Sequence, residues 1–339
     1  MEAGTLSVGI VGVAGLVGQE LLELLETRQM PIGTLRLLGS ARTAGAEVEL
    51  KDGHTERIDL VGPESFADLD LAFFTSGPSI AGEFAPVATG AGASVIDLSS
   101  RYRLDPAVPL IVPEVNAAAI GQAREAGIVA SPSAVAIGLA VALAPLREAA
   151  GLRRVVVSTY QGTAGAGRAA VNRLSREALD LLAGRGSRRS GERPRAFNCL
   201  PQLGAIEPGG ATTHELHVIE EVRKILEHPG LALSVTAVRV PTFFGYGISV
   251  NCETEEPLSP EAAADVLRGG RGVVVHDEPG SGYPTPVEVV GSDATHVGRI
   301  RLAPGADNGL AFWISLDNVR KGGALNAVEI AEIVVRDAL

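Results

Sequence analysis

The first half of the chain alternates short β-branched or leucine-rich runs with stretches of helical spacing. The pattern predicts strands at Leu6–Val11, 35–39, 71–75, 94–98 and 128–131. Leu21, Leu22, Leu24 and Leu25 recur at helical spacing and predict a helix over Leu16–Thr27. An alanine-rich helix is expected around 84–92. Another is expected after Pro132, because proline is favoured near a helix N-terminus. Such alternation implies a parallel sheet with right-handed crossovers.

The character changes from about residue 155. A strand over 155–160 is followed by a long amphipathic helix over 165–182, then by 185–195, which lacks any apolar residue and reads as solvated surface. A helix at 213–226 precedes strands at 233–240, 248–253, 272–275, Thr295–Leu302 and 309–315, and a helix over 324–337 closes the chain. Strands that follow one another without helices point to a mixed or antiparallel sheet, and so to a second domain of different design.

With 339 residues the chain can bury two cores, and the formal net charge of −11 opposes binding to a nucleic acid backbone. The only cysteines, Cys199 and Cys252, make no disulfide framework and lack metal-ligand spacing. Both are expected to be small buried hydrophobes. No apolar run approaches the 20 residues or so of a membrane span, and the longest, 134–146, reads as a buried helix. With no signal-peptide pattern at the N-terminus, a cytoplasmic protein is expected.

Candidate chemistry begins at Gly9-Ile-Val-Gly12-Val-Ala-Gly15-Leu-Val-Gly18, between the first predicted strand and helix. In a dinucleotide-binding turn, Gly12 permits the tight bend, Gly15 lets backbone approach a pyrophosphate, and Gly18 lets helix pack on sheet. Leu16 and Val17 would then offer helix N-terminal N–H groups to the phosphates. A glycine-rich turn without a ligand is the plainer alternative; the strand before it and the helix after it favour the dinucleotide. An NAD site carries an acid near the end of the second strand, whereas this chain has Ser40, Arg42 and Thr43 there. A guanidinium suits a 2′-phosphate, so NADP is the expected cofactor.

The segments GVAGLVG (12–18), LGSARTAG (38–45), IDLSSRYRLDPAVPLIVPEVN (96–116), STYQGTAGAG (158–167), RVPTFFG (239–245), GRIR (298–301), DNG (307–309) and DNVRKGGALNAVEIAE (317–332) resemble aspartate-β-semialdehyde dehydrogenase along nearly the whole chain. The resemblance implies an α/β fold: a Rossmann-type parallel-sheet domain over 1–132, completed by the C-terminal helix 320–339, and an α+β mixed-sheet catalytic and dimerisation domain over 133–319. It also implies a homodimer, and a nucleotide contact from Asn318.

In that family a cysteine thiolate attacks the aldehyde, hydride passes to NADP, and phosphate splits the thioester; a histidine serves as acid and base. Carried over by motif, the cysteine position is Ala134 and the histidine position is Tyr246, seven residues after Arg239. A neighbouring Glu and Lys fall on His214 and His217. A methyl group cannot form a covalent intermediate, and a phenol with an ordinary pKa near 10 is a poor base at neutral pH. Arg103 matches the phosphate arginine, Arg239 the carboxylate arginine and Gln161 a substrate-holding glutamine. Pro78 departs from the family pattern and removes an N–H, and Glu329 stands where a glutamine is usual.

The pattern resembles the Usg branch of the family, which lacks the catalytic cysteine. It implies an NADP(H)-binding protein that does not run the parent reaction and still binds an acidic metabolite or phosphate. Two alternatives remain open: an NADP-dependent oxidoreductase using non-covalent hydride transfer with Tyr246 as proton donor, and a non-catalytic partner of an active paralogue. Ser133 reads as a helix cap rather than a nucleophile. His214 and His217 read as surface histidines of a helix; with only Glu221 as a conceivable third ligand, no metal site is expected.

Overall fold

The computed structural model describes residues 5–123, 127–185, 193–277 and 282–338. Most of the run 185–195 lies outside the described residues. Residues up to Ser133, together with those from Gly323 on, form one compact unit, and Ala134–Gly322 form the other.

The first unit carries a seven-stranded sheet of β1 (Leu6–Val11), β2 (Ile32–Gly39), β3 (Glu47–Glu49), β4 (Thr55–Leu60), β5 (Leu71–Phe74), β6 (Ser94–Asp97) and β7 (Ile128–Ala130). The spatial order is β3-β4-β2-β1-β5-β6-β7. Every pairing is parallel except β3 with β4. Strand order reverses at β1, which has β2 on one side and β5 on the other, and ligands of open parallel sheets bind at such a point.

Helices α1 (Leu16–Thr27) and α2 (Pro78–Gly90) follow β1 and β5. The helix expected at 84–92 therefore starts six residues earlier. Pro78 occupies its first turn, where a missing N–H costs nothing. The core joins Ile10, Leu21, Leu25, Phe73 and Ile96 to Leu325 and Val328 of the last helix. That helix, Leu325–Ala338, thus completes the Rossmann-type unit.

The second unit is built on a six-stranded mixed sheet of β8 (Arg154–Gln161), β9 (Ala232–Arg239), β10 (Tyr246–Glu253), β11 (Val273–His276), β12 (Thr295–Leu302) and β13 (Gly309–Leu316), ordered β11-β12-β13-β10-β8-β9. β8 and β9 run parallel because α4 (Arg168–Leu182) and α5 (Thr213–Ile225) cross between them. Helices α3 (Ala134–Ala150), α5 and α6 (Pro260–Gly269) pack against the sheet. α3 is buried along most of its length, as its apolar run predicts.

The single helix expected over 165–182 is two pieces. A 3-10 turn, Thr163–Ala166, is cut from α4 by Gly167, whose φ of 83° no helix continues.

A strap from Tyr283 to Ser292 crosses the sheet at β12 and β13. The Pro284 carbonyl accepts from Trp313 Nε1 at 2.9 Å and from Ser315 Oγ at 3.0 Å, and Gly291 N donates to Asp317 Oδ2. At its end Ser292 Oγ lies 2.7 Å from His296 Nε2, and His296 Nδ1 lies 2.9 Å from His276 Nε2. One proton serves that imidazole pair, since two ring N–H groups cannot face each other at that distance.

Burial, with His276 beside it, holds His296 below the usual histidine range. The folded pKa is the lower one, so this contribution to stability is fully present above about pH 6.5 and lost as pH falls through the folded value. Melting followed by Trp313, the only tryptophan, should show a steeper loss from pH 7 to pH 5 in the native chain than in His276→Asn. Equal slopes would contradict the shared-proton pair.

Candidate functional site

In the first unit the turn after β1 is fixed by its glycines. Gly12 has a φ of 94°, donates N–H to Leu38 O at 2.8 Å, and accepts from Gly15 N at 2.9 Å. A Cβ on Gly18 would lie 2.5 Å from Gly12 O and 2.7 Å from Val13 Cα, so the start of α1 can approach the loop only as glycine. Gly15 precedes α1 without a side-chain cap, which leaves the Leu16 and Val17 N–H groups at an open helix terminus.

The Ser76 hydroxyl, beyond the end of β5, is buried without a hydrogen-bond partner among the described residues. An uncapped helix end, a glycine cradle and an orphaned hydroxyl at the strand-order reversal suit a dinucleotide phosphate. At the end of β2, the Ser40 carbonyl accepts from the Thr43 and Ala44 N–H groups, closing a turn that leaves Arg42 exposed. Arg42 makes no hydrogen bond or ion pair among the described residues, and no acid stands in the turn.

Arg103 is anchored within the same unit. Its Nε donates to Ser131 O at 3.0 Å and its Nη2 to Leu98 O at 2.6 Å. Burial raises the Asp97 pKa, while Ser99 and the Arg103 charge oppose that rise.

In the second unit, strand register gathers the remaining residues. Gln161 of β8 pairs with Arg239 of β9 on one side and Tyr246 of β10 on the other, so the three lie in a row across one sheet face. Arg239 Nη1 donates to Gly162 O at 2.6 Å, the only hydrogen bond of its guanidinium among the described residues, where it also has no ion pair. The Tyr246 hydroxyl packs on Gly165, where a Cβ would collide with it and lie 3.1 Å from Arg239 Nη1. Tyr246 is buried, yet its hydroxyl has no partner among the described residues.

Gln161 Nε2 donates to Thr159 Oγ1 and to His214 Nε2, both at 3.0 Å. With the amide nitrogen turned to it, His214 accepts this bond on Nε2. His214 is therefore not the surface histidine its spacing suggested: it is half-buried and tied to β8. His217 is half-buried too, one turn further on, and no metal-binding cluster occurs among the described residues.

Ala134 opens α3 with its methyl group against Gly322, where any side chain would clash with it. Asn318 Oδ1 accepts from Gly245 N at 2.9 Å and so braces the loop before Tyr246. Cys252 is buried and its thiol is pushed up to about 12 by desolvation. Cys199 corrects the sequence expectation. It is exposed, because it lies on an irregular segment beside an isolated bridge, Leu200 to Arg239, rather than on a buried sheet face.

Residues 7–123 match the family model for the semialdehyde dehydrogenase NAD binding domain, and residues 143–321 match the one for the semialdehyde dehydrogenase dimerisation domain. Aspartate-semialdehyde dehydrogenase of Aquifex aeolicus is 40% identical, with 98% of each chain covered. The chain belongs to the aspartate-semialdehyde dehydrogenase family. The solved structure of aspartate semialdehyde dehydrogenase II from Vibrio cholerae superposes with a TM-score of 0.95 at 37% identity, over 99% of this chain and 100% of that one. The fold extends to aspartate semialdehyde dehydrogenase from Candida albicans solved with NADP, at TM-score 0.76 and 21% identity, over 99% of this chain and 100% of that one.

Within this chain, sequence reasoning missed the Gln161–His214 hydrogen bond, the orphaned Ser76 hydroxyl and the strap. Glu215 and Thr212 form a capping box at the start of α5, a T-x-x-E signal legible in the sequence.

Proposed function

We propose that this family member binds NADP(H) and a small acidic molecule but does not run the thioester route, as in the Usg branch. The observation that carries the reading is Ala134, a methyl group against Gly322 at the position of the family's nucleophile. No thiol substitutes for it. Cys252 lies six residues along β10 from Tyr246, about 20 Å at strand rise, and its thiol pKa is near 12. Cys199 is exposed and has no hydrogen-bonded base among the described residues.

The backbone of Gly12, Gly15, Leu16, Val17 and Gly18 would hold the pyrophosphate. Ser40, Arg42 and Thr43 would hold the 2′-phosphate, with Asn318 as a further contact. Arg103 of the first unit is assigned to phosphate and Gln161 with Arg239 of the second to an acidic ligand, and the dimerisation-domain match supports a homodimer. Fluorescence titration with NADPH should saturate at micromolar concentrations; failure of both NADPH and NADH to bind would overturn the cofactor half of the reading.

A second reading has one observation in its favour, the unpartnered Tyr246 hydroxyl beside the Arg239 guanidinium. NADPH, when bound, supplies hydride; Tyr246 would donate its phenolic proton to the carbonyl oxygen, and Arg239 would stabilise the phenolate left behind. NADPH oxidation with small oxo acids, abolished in Tyr246→Phe, would support it. Absence of any NADPH oxidation would remove it.

A further inference from the structure

We infer that a cleft beside the strap of the second unit binds a small planar aromatic anion. The cleft, of about 390 Å³, is lined by Tyr160, Ser249, Tyr283, Arg299, Arg301 and Trp313. That volume falls at the lower end of the range for small-molecule sites. Strand alternation puts Tyr160, Ser249 and Trp313 on the sheet face opposite Gln161 and Tyr246, so the cleft is separate from the row around Arg239. Its floor is built around the indole. A Cβ on Gly247 would collide with the Trp313 ring, so only glycine lets that ring settle over β10. A Cβ on Gly298 would lie 2.8 Å from Pro284 Cδ, so glycine there admits the strap. Trp313 Nε1 donates to Pro284 O and to Ser315 Oγ, both at 2.9 Å, which fixes the ring. Tyr160 packs beside it, with ring centroids 5.5 Å apart and planes at 41°.

The rest of the lining is cationic. Arg299 sits at the bulge of β12 with a φ of 55°, a conformation uncommon for any residue but glycine. Bulges of this kind re-aim side chains beside functional sites. Arg301 Nη1 donates to the Arg299 carbonyl at 2.8 Å, and neither guanidinium has an ion pair among the described residues. The acids close by are engaged by other groups. Asp277 borders Arg299 but pairs with Arg268, and Glu288 of the strap accepts from the Thr285 N–H and hydroxyl. The Tyr160 and Tyr283 hydroxyls make no hydrogen bond among the described residues. Aromatic walls suit a ring that stacks, and the guanidiniums and phenols suit an acid group that accepts from them. A neutral ring would leave both charges unmatched. An aliphatic acid would leave the walls without a stacking partner.

Naphthoate is the probe, and Trp313, the only tryptophan, is the reporter. Its indole N–H gives a single proton–nitrogen NMR signal, which naphthoate titrated into the full chain should shift saturably. Naphthamide keeps the rings and loses the charge, and should bind about tenfold more weakly. Cyclohexanecarboxylate keeps the charge and loses the aromatic faces, and should also bind more weakly than naphthoate. Arg301 is exposed, so Arg301→Met should leave the fold intact, weaken naphthoate about tenfold and leave naphthamide unchanged. An unmoved indole signal would overturn the inference, whether a second protomer covers the cleft or the cleft takes no aromatic acid. So would equal affinities for naphthoate and naphthamide, or an Arg301→Met chain that binds naphthoate as the native one does.

Discussion

Supplied with aspartate semialdehyde, phosphate and NADP, the chain should form NADPH no faster than a protein-free control. The covalent route begins with a thiolate, and the Ala134 side chain has no atom that can form the bond. Removing a catalytic nucleophile elsewhere costs on the order of 10⁶-fold in turnover, and in the proposed reading the other reacting groups are replaced as well. Ala134→Cys alone should leave the rate at background. By the family resemblance the base for a new thiol at 134 would be Tyr246, a weak one, and His214 is tied to Gln161. Its sulfur must also find room on a side chain already packed against Gly322. Ala134→Cys combined with Tyr246→His, His214→Glu and His217→Lys restores the full set of residue types, and a measurable NADPH signal should appear only then. A native-chain rate on the order of 10 s⁻¹, ordinary for an enzyme, would defeat the expectation. So would full activity in Ala134→Cys alone.

How far such conclusions can be reached without coordinates depends on the residue. β1 and α1 have the bounds the pattern predicts, because a tight glycine turn between a buried strand and a leucine-striped helix leaves little latitude. β3 and β4 gave no signal. They form an edge hairpin in which Thr55–Leu60 buries only Ile58, so no alternation exists to be read. α6 went unread because its buried stripe is Ala263, Ala264 and Leu267, too weakly apolar to stand out, although Ser259 and Pro260 mark its start.

At the site, residue types were legible through the family motifs, but their assembly was not. Arg239, Gln161 and Tyr246 form a row only because three strands, spread over about 90 residues, pair in one register. Spacing of three made His214 and His217 look like a pair with each other. What matters for His214 is a glutamine 53 positions away, a contact that no local pattern encodes.

The second large effect concerns cofactor choice. NADPH should bind more tightly than NADH, and Arg42→Ala should weaken NADPH about 10- to 100-fold while leaving NADH unchanged. The range follows from losing a charge-assisted, bidentate contact to a phosphate. β1 and β2 are parallel neighbours, so the glycine turn and the Ser40–Thr43 turn emerge at the same end of the sheet. A ribose 2′-substituent would meet the second turn while the pyrophosphate sits at the first. That turn holds no carboxylate to accept from a 2′-hydroxyl, which is why NADH has nothing to lose there. Because Arg42 is exposed and makes no hydrogen bond or ion pair among the described residues, its removal should leave the melting temperature unchanged. Gly18→Val provides the contrast. Its side chain would be forced against Gly12 O and Val13 Cα, so binding of both nucleotides should fail and the melting temperature should drop. Equal affinity for NADH and NADPH in the native chain would show that Arg42 does not meet the nucleotide, and the assignment of NADP would fall with it.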